Sequence, residues 1–306
     1  MTIASLAGAR VLVTGSSGFI GGHLAEALLG SGADVHLVSR RHTTGLGTVC
    51  HVCDLADGPS TSRLLALVRP DIVFHLAGHV TGDRTLEAVL PTLQANMFGT
   101  VNVLSAAVAN GLPRVVLAGS MEEPASNDPS GLAAHPYAAS KAAASIYARM
   151  FAALFDLETV LLRIFLVYGR RETDEEKLVP YVIRSLLAGD SPSLTRGERL
   201  IDWVYIDDVV AAFMAAATKG PSGSTIDIGS GALHSVRDVV ERIAALVDPS
   251  CALEFGQAPV RPNEHSRVAD LESSSALLGW APQIALDEGL RRTVNWYRES
   301  RAGDLG

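Results

Sequence analysis

The chain contains 306 residues, of which 48% are apolar, and carries a formal net charge of −8. This length allows one large or two modest domains with a buried core, and the composition excludes a largely disordered chain. The negative charge disfavours a broad nucleic-acid-binding surface. No apolar run approaches the ~18 residues of a membrane span, and the N-terminus lacks the pattern of a cleavable leader. We therefore expect a soluble, cytoplasmic protein without nucleic-acid or membrane partners.

The first half of the chain alternates short apolar runs with helical stretches. "RVLVTG" has the composition of a buried strand, and "FIGGHLAEALLGSG" (19–32) that of a helix. Such alternation predicts an α/β fold, with a doubly wound parallel sheet of the Rossmann type and helices on both faces. The predicted strands are 10–15, 33–40, 48–55, 71–78, 113–120 and 158–165, and the further helices are 60–68, about 85–110 and 137–155.

Three glycines follow the first predicted strand in "VLVTGSSGFIGG". Glycines there permit a tight turn and let the backbone approach a pyrophosphate, which the N-terminus of the next helix attracts. The GxxGxxG spacing between a strand and a helix predicts a dinucleotide site rather than a packing cluster. The residues expected to contact the dinucleotide, here and at the ends of later strands, are Gly15, Ser17, Gly18, Phe19, Ile20, Gly21, Leu55, Leu76, Ala77 and Gly78.

The end of the second predicted strand, "VSRR", indicates which dinucleotide binds. An acidic residue at this place accepts hydrogen bonds from the ribose hydroxyls of NAD, whereas an arginine suits the 2′-phosphate of NADP. Arg40 and Arg41 stand here without a neighbouring carboxylate, so NADP(H) is favoured and NAD(H) stays possible. Asp54, after the third strand, is a candidate acceptor for the adenine amino group.

The second half becomes mixed and richer in Pro and Gly after about residue 168. Helices are predicted at 207–218, 235–247 and 286–299, with loops carrying Arg and Pro between them. We expect a dinucleotide-binding domain over 1–168 that also receives segments near 200–248. The remainder, 169–306, is expected to be a smaller mixed part that mainly binds substrate.

The three cysteines are too few for a disulfide framework. Cys50 and Cys53 form a CxxC, but it lies in a predicted strand and has no second Cys or His pair at zinc spacing. We therefore expect no bound metal.

A tyrosine and a lysine stand four residues apart in "HPYAASK" (135–141), behind a proline that suits the first turn of a helix. Tyr137 and Lys141 would then lie on one helix face. An ammonium beside a phenol lowers the pKa of the phenol, as proton transfer near neutral pH requires. A tyrosine and a lysine on the surface of an ordinary helix can have the same spacing, so this motif alone does not identify a catalytic pair.

Further motifs follow one another along nearly the whole chain: "HLAG" (75–78), "NMFGT" (96–100), Ser120, "LRIFLVYG" (162–169), "DWVYIDDVV" (202–210) and "RPNE" (261–264). With the glycine-rich turn and the Tyr-Lys pair, they resemble the extended short-chain dehydrogenase/reductases, in particular the NAD(P)-dependent epimerase/dehydratase group acting on nucleotide sugars. The resemblance implies that Tyr137 is the acid/base and that Lys141 holds the nicotinamide ribose and lowers the tyrosine pKa. It implies that Ser120 hydrogen-bonds the reacting sugar oxygen.

The stretch after the fifth predicted strand departs from one branch of this family. Sugar 4,6-dehydratases usually read Thr-Asp-Glu there, whereas "GSMEEP" places Met121 at the aspartate position. A thioether cannot carry a proton, so a dehydratase is disfavoured. The stretch instead resembles the "GSSEEYG" type of reductases of nucleotide-linked 4-keto-6-deoxy sugars. In later motifs Leu166 replaces an asparagine, Arg170 a proline and Ile201 an arginine, for which Arg199 is a candidate substitute.

The resemblance also implies residues that contact the nucleotide sugar. Arg261 matches the arginine that grips the diphosphate, a role suited to a rigid guanidinium fork, although a solvated turn is the alternative. His79 is a candidate to face the sugar, whereas His75 is expected to be a structural strand residue. The candidate substrate-binding residues are His79, Met121, Glu122, Lys177, Arg199 and Arg261.

Taken together, these features favour an NADPH-dependent reductase of a nucleotide-linked 4-keto-6-deoxyhexose, acting at C4. The alternative enzyme is a nucleotide-sugar 4-epimerase, which recycles a tightly held NAD. A cofactor-sensing regulator is the alternative of another class, and the intact Ser-Tyr-Lys set argues against it. The resemblance implies a homodimer in which the helical stretches at 85–110 and 137–155 pair with their twofold copies.

Overall fold

The structure, a computed structural model, describes residues 5–41, 47–125, 130–172, 174–257 and 266–303. The strands are β1 Arg10–Thr14, β2 Asp34–Ser39, β3 Val49–Val52, β4 Ile72–His75, β5 Arg114–Ser120, β6 Glu158–Ile164, β7 Leu166–Tyr168, β8 Leu200–Tyr205, β9 Ser224–Ile228 and β10 Leu233–Ser235. The α-helices are α1 Phe19–Gly30, α2 Gly58–Val68, α3 Val89–Thr92, α4 Gly99–Ala109, α5 Pro136–Phe155, α6 Leu178–Ala188, α7 Ile206–Lys219, α8 Val236–Val247, α9 Leu271–Leu278 and α10 Leu286–Gly303.

Seven strands form one parallel sheet in the order β3-β2-β1-β4-β5-β6-β9. The sequence of β1 is RVLVT and its last four residues are buried, as expected for a strand covered on both faces. The winding reverses between β1 and β4, and ligands of such sheets bind beyond the carboxyl ends of the strands at this point. The observed architecture confirms the predicted Rossmann-type α/β sheet.

The seventh strand of this sheet, β9, is missing from the sequence-based prediction. Its five residues, STIDI, alternate in burial and pair with β6 alone, at the edge of the sheet. They therefore lack the continuous apolar run that identifies the central strands.

Helices α2, α4 and α5 cover one face of the sheet. Leu65 of α2, Leu104 of α4 and Phe151 of α5 join a single apolar cluster with strand residues such as Val115 and Leu161. Burial of this face is the main source of stability for the sheet.

The helix predicted over 85–110 is interrupted. A 3-10 turn, Leu86–Ala88, leads into α3, and a π-helical segment, Leu93–Phe98, then precedes α4. Insertions of this kind are frequent at functional sites, and this one contains Asn96, whose contacts are described below.

A second, smaller sheet contains β7, β8 and β10, with β8 parallel to β7 and antiparallel to β10. Helices α6, α8 and α10 pack on one another. None of the described helices is both long and apolar enough to cross a lipid bilayer. The chain divides into a first compact unit, Met1–Ile164 with Val210–Ile228 and Glu272–Trp280, and a second, Phe165–Val209 with Gly229–Leu271 and Ala281–Gly306.

Candidate active site

At two positions near the turn between β1 and α1, Gly15 and Gly21, the structure leaves no room for a side chain. Gly15 adopts φ +69°, and a Cβ there would lie 2.7 Å from the backbone nitrogen of Ala77. A Cβ on Gly21 would overlap the carbonyl oxygen of Gly15. Both approaches are closer than side chains tolerate, so these glycines let the turn, α1 and the segment after β4 come together.

The N-terminus of α1 has the character of an anion receptor. Its N-cap residue, Gly18, makes no side-chain cap, and the first turn contains no acidic residue. The backbone N–H groups of this turn therefore have no side-chain acceptor, and the helix dipole favours negative charge in front of them. Ser17 is exposed, and Phe19 and Ile20 are partly exposed. These features fit the pyrophosphate of a dinucleotide.

The end of β2 presents two arginines. Arg40 and Arg41 are exposed, and the buried hydroxyl of Ser39 donates to the carbonyl of Arg41. Asp34, the acidic residue of β2, is the first residue of the strand and therefore lies at the end of β2 opposite these arginines. Its Oδ2 lies 2.7 Å from Arg10 Nε. Asp54, beyond β3, is exposed and accepts a hydrogen bond from the backbone of Ala56 at 3.0 Å.

A buried hydrogen-bond chain connects β1, β4 and α4. The N–H of Ala77 donates to Thr14 Oγ1 at 3.1 Å, Thr14 Oγ1 lies 2.9 Å from His75 Nδ1, and His75 Nε2 lies 3.0 Å from Thr100 Oγ1. Thr100 gives its own proton to the carbonyl of Asn96 at 2.6 Å. His75 must therefore carry its proton on Nε2. Burial, and then the charge of Lys141, lower the pKa of His75 to about 3, so it is a neutral structural residue.

Asn96 extends this network towards α5. Its Oδ1 accepts from the N–H of His79 at 2.7 Å, and its Nδ2 donates to the carbonyl of His79 at 3.1 Å and to Ser140 Oγ at 2.9 Å. A Cβ on Gly78 would lie 2.7 Å from Asn96 Oδ1. Asn96 thus fixes the segment that contains Leu76, Ala77, Gly78 and His79. His79 itself is exposed.

Ser120, Tyr137 and Lys141 come together where β5 ends and α5 begins. Ser120 is the last residue of β5, whereas Tyr137 lies in the first turn of α5 and Lys141 one turn later. Ser120 Oγ accepts from the N–H of Glu122 at 3.2 Å, and Lys141 Nζ donates to the carbonyl of Ala118 at 2.8 Å. Ser120, Tyr137 and Lys141 are all buried, and Tyr137 is 9% exposed.

The pKa of Tyr137 is raised, whereas the sequence predicts a lowered value. Burial raises it to about 12; the hydrogen bond from Ser120 lowers it, and the carboxylates of Glu123 and Glu122 raise it. Burial also lowers the pKa of Lys141 to about 8, against the opposing effect of Glu123. Desolvation is the largest cause of both shifts, and Lys141 is not among the groups that shift the pKa of Tyr137.

Two residues that the sequence-based reasoning left unassigned belong to this cluster. Glu123 is buried and accepts from the N–H of Ser120 at 2.8 Å. His135 caps α5 by accepting from the N–H of Ala138 at 3.2 Å, and its ring stacks on that of Tyr137. His135 also lies 3.6 Å from a carboxylate oxygen of Glu122. The side chain of Met121 is buried.

The second unit holds the other candidate substrate residues. Lys177 precedes α6 and is partly exposed, and Arg199 precedes β8 with its carbonyl bound to the N–H of Val236 at 3.0 Å. Ile201 is buried within β8. Arg261 lies outside the described residues.

Two acidic residues of the "DWVYIDDVV" motif are buried in this second unit and hold loops. Asp202 accepts from the N–H groups of Ser230, Gly231 and Ala269 at 2.5, 3.0 and 3.0 Å. Asp208 accepts from those of Gln283 and Ile284, both at 3.0 Å. Hydrogen bonds to a buried charge are among the stronger ones in proteins, so this motif organises the backbone.

Among the described residues, no group of three or more His, Cys, Asp and Glu side chains is arranged to hold a metal ion. Cys50, Cys53 and Cys251 form no disulfide within the part of the chain that the structure describes, and burial raises the pKa of Cys53.

Comparisons with known proteins agree with this geometry. The sequence model of the NAD dependent epimerase/dehydratase family matches residues 11–229. The UDP-glucose 4-epimerase of Mycolicibacterium smegmatis is 32% identical, over 94% of this chain and 98% of that protein.

Solved structures show the same similarity. UDP-glucose 4-epimerase of Thermus thermophilus, in complex with NAD, is 28% identical with a TM-score of 0.84 over 94% of this chain and 99% of its own. MoeE5, in complex with UDP-glucuronic acid and NAD, is 32% identical with a TM-score of 0.84 over 95% of this chain and 99% of its own.

Proposed function

Because the chain belongs to the NAD-dependent epimerase/dehydratase family, we propose that it transfers hydride between a nicotinamide dinucleotide and C4 of a nucleotide-linked hexose. The observation that carries this proposal is the burial of Ser120, Tyr137 and Lys141 at the place where β5 ends and α5 begins. The glycine-restricted turn at Gly15 and Gly21 supports the dinucleotide. The UDP-sugar and NAD bound to MoeE5 support the substrate class and the cofactor class.

Each residue of the cluster has a defined role in this chemistry. When bound, the nicotinamide supplies or accepts the hydride. Ser120 donates its hydroxyl proton towards the sugar oxygen on C4 and polarises the carbonyl. Tyr137, with a pKa of about 12, is protonated at neutral pH and gives its proton to the developing alkoxide. The charge of Lys141 stabilises the phenolate that remains.

Within this chemistry we favour the reductase of a 4-keto-6-deoxyhexose. A protonated Tyr137 suits proton donation, the arginines at the end of β2 suit NADPH, and Met121 replaces the dehydratase aspartate. The 4-epimerase is the second candidate, because UDP-glucose 4-epimerases are among the relatives of this chain.

A simple UDP-hexose separates the two candidates, because it offers no carbonyl at C4 for a reductase to attack. We expect no reaction with UDP-glucose, whether NADP or NAD is present. Interconversion of UDP-glucose and UDP-galactose without net change in the dinucleotide would establish the epimerase. Thermal shift with a panel of nucleotide sugars, each dinucleotide present in turn, identifies the ligand independently of turnover.

Replacing Arg40 and Arg41 together by alanine should remove most of the preference for NADPH over NADH. A charge-assisted hydrogen bond contributes about 1.5–3 kcal/mol, so the ratio of dissociation constants should fall by roughly ten- to a hundredfold. Calorimetric titration of both dinucleotides measures it, with Arg63→Ala on the exposed face of α2 as the control. Equal affinities for the two dinucleotides in the unsubstituted protein would contradict the assignment.

We also propose a homodimer built on α3, the π-helical segment and α5. The segment and α3 both pack against α5. These elements expose several large apolar side chains, and exposed apolar surface is a feature of sites where a partner binds. In fractional exposure these side chains are Leu90 63%, Phe98 45%, Ile146 59% and Leu154 68%.

Replacing Leu90 and Ile146 by glutamate should therefore dissociate the dimer, since two charges would be buried at a twofold interface. Light scattering at micromolar concentration measures the mass. Leu67→Glu on α2 is the matched control, because Leu67 is equally apolar and 74% exposed away from these helices. A monomer in the unsubstituted protein would refute the proposal.

A further inference from the structure

His135 holds the first turn of α5 through two acceptors. Its ring Nδ1 accepts from the N–H of Ala138 at 3.2 Å, and its carbonyl oxygen accepts from the N–H of Ala139 at 3.2 Å. Pro136, the first residue of the helix, has no N–H to satisfy. A side chain that accepts from the third residue of a helix stabilises its start, so His135 fixes the backbone where α5 begins.

The cap also determines the tautomer of His135. Because Nδ1 accepts a backbone N–H, it carries no proton, and the ring is protonated on Nε2 alone. Nε2 lies 3.6 Å from a carboxylate oxygen of Glu122, whose N–H donates to Ser120 Oγ at 3.2 Å. One imidazole ring therefore contacts both the start of α5 and the segment that directly follows Ser120.

The face of the same ring lies against the phenol of Tyr137. The two rings are stacked, with their centroids 5.9 Å apart and their planes at 14°. This separation lies in the range that aromatic pairs prefer. The side chain of His135 is 8% exposed and Tyr137 is 9% exposed, so the two rings are buried together.

Other contacts of Tyr137 hold its backbone. Its carbonyl oxygen accepts from Ser140 Oγ at 2.8 Å, and Ser140 Oγ accepts in turn from Asn96 Nδ2 at 2.9 Å. A fixed backbone still leaves the side-chain torsions of a tyrosine a choice among rotamers. Contacts on the ring itself select the rotamer, and the imidazole of His135 supplies such a contact.

We propose that His135 is a positioning residue that orients the ring of Tyr137 for proton donation. The consequence for catalysis rests on the proposed function, because it requires Tyr137 to be the proton donor. The orientation of the ring is a property of the protein alone. Misplacement of a reacting group by about 1 Å costs on the order of 10²-fold in rate, so loss of the stacked ring should lower kcat and spare dinucleotide affinity.

Two substitutions separate the stacking from the capping. His135→Asn removes the ring but keeps a preferred capping side chain, so we expect an unchanged melting temperature and a kcat lowered by roughly 10–10²-fold. His135→Phe keeps a ring to stack on Tyr137 but loses the acceptor for Ala138. We therefore expect a lower melting temperature and a kcat closer to that of the unsubstituted protein. The dissociation constant for the dinucleotide should be unchanged in both variants.

Ser235→Ala is the matched control for the loss of a cap. Ser235 caps α8 in the same way, since its hydroxyl oxygen accepts from the N–H of Asp238 at 3.0 Å. It belongs to the second unit, whereas His135 belongs to the first. We expect Ser235→Ala to lower the melting temperature, as His135→Phe does, and to leave kcat unchanged.

Nitration of tyrosine rings by tetranitromethane gives a readout that needs no substrate. Peptide mass spectrometry follows each of the six tyrosines of the chain separately. We expect Tyr137 to react severalfold faster in His135→Asn than in His135→Phe or the unsubstituted protein, because only His135→Asn loses the ring that stacks on it. Tyr147, on the same helix, is the internal reference and should react at an unchanged rate. A role in capping alone would instead speed nitration of Tyr137 most in His135→Phe.

The combined results decide the inference and the proposed function separately. If the unsubstituted protein turns over a nucleotide sugar, an unchanged kcat in folded His135→Asn overturns the inference. Losses of kcat that follow the melting temperature across the three variants overturn it as well. If the unsubstituted protein turns over no nucleotide sugar, the proposed function is refuted and nitration decides alone. Faster nitration of Tyr137 in His135→Asn then upholds the orientation of the ring by His135, and an unchanged rate overturns it.

Discussion

Replacing Tyr137 by phenylalanine is expected to lower turnover by roughly 10²–10⁴-fold, the usual loss when a positioned acid/base is removed. The substitution keeps the ring that stacks on His135 and removes the phenol hydroxyl. Steady-state kinetics with saturating NADPH and the nucleotide sugar measures the effect.

Dinucleotide binding is the control for this substitution. The turn around Gly15 and Gly21 is untouched in Tyr137→Phe, so the dissociation constant for the dinucleotide should stay near that of the unsubstituted protein. Lys141→Ala should instead damage binding and turnover together, because Lys141 is assigned to the ribose as well as to Tyr137. Near-normal turnover of Tyr137→Phe would show that another group supplies the proton.

Gly15→Ala should abolish measurable dinucleotide binding and lower the free energy of unfolding by about 1–3 kcal/mol, the cost of a side chain in the left-handed region. Gly15 has φ +69°, and the new Cβ would meet the backbone of Ala77 at 2.7 Å. Relief of this clash moves the turn away from β4, where the dinucleotide is expected to lie. Chemical denaturation and calorimetric titration measure the two effects.

Gly22→Ala is the matched control for this glycine. Gly22 lies in α1 close to the same turn, but a Cβ there would make an ordinary contact, 3.6 Å from the carbonyl oxygen of Ser16. Alanine favours a helix interior over glycine by about 1 kcal/mol, so this variant should be equally or more stable and should bind the dinucleotide. Intact binding in Gly15→Ala would contradict the assigned role of the turn.

Much of the fold could be predicted from the sequence, because its central strands are continuous apolar runs and its glycines follow β1 directly. The position of α5 was predictable as well: Pro136 suits a first turn and the residues after it are good helix formers. The edge strand β9 was not predictable, since its short alternating sequence resembles a loop. The π-helical segment around Asn96 was also missed, because contacts with His79 and Ser140, distant in sequence, accompany it.

The electrostatics of the candidate site depend on burial, which a motif does not reveal. The Tyr-Lys spacing of α5 predicted a lowered phenol pKa, whereas desolvation raises the pKa of Tyr137 to about 12. Glu123 belongs to no recognisable sequence motif apart from its place after Ser120. Its effect on the pKa values of Tyr137 and Lys141 arises only because the fold brings the end of β5 close to α5. The roles of Lys177 and Arg199 in binding substrate stay predictions.

Transfer of deuterium from nicotinamide to sugar tests the central claim most directly. The protein would be incubated with a 4-keto-6-deoxyhexose nucleotide and NADPH that carries deuterium at both C4 positions of the nicotinamide ring. We predict one deuterium on C4 of the product sugar and one NADPH oxidised for each product molecule, with both signals lost in Tyr137→Phe. A product without deuterium at C4, or conversion without net oxidation of NADPH, would contradict the account.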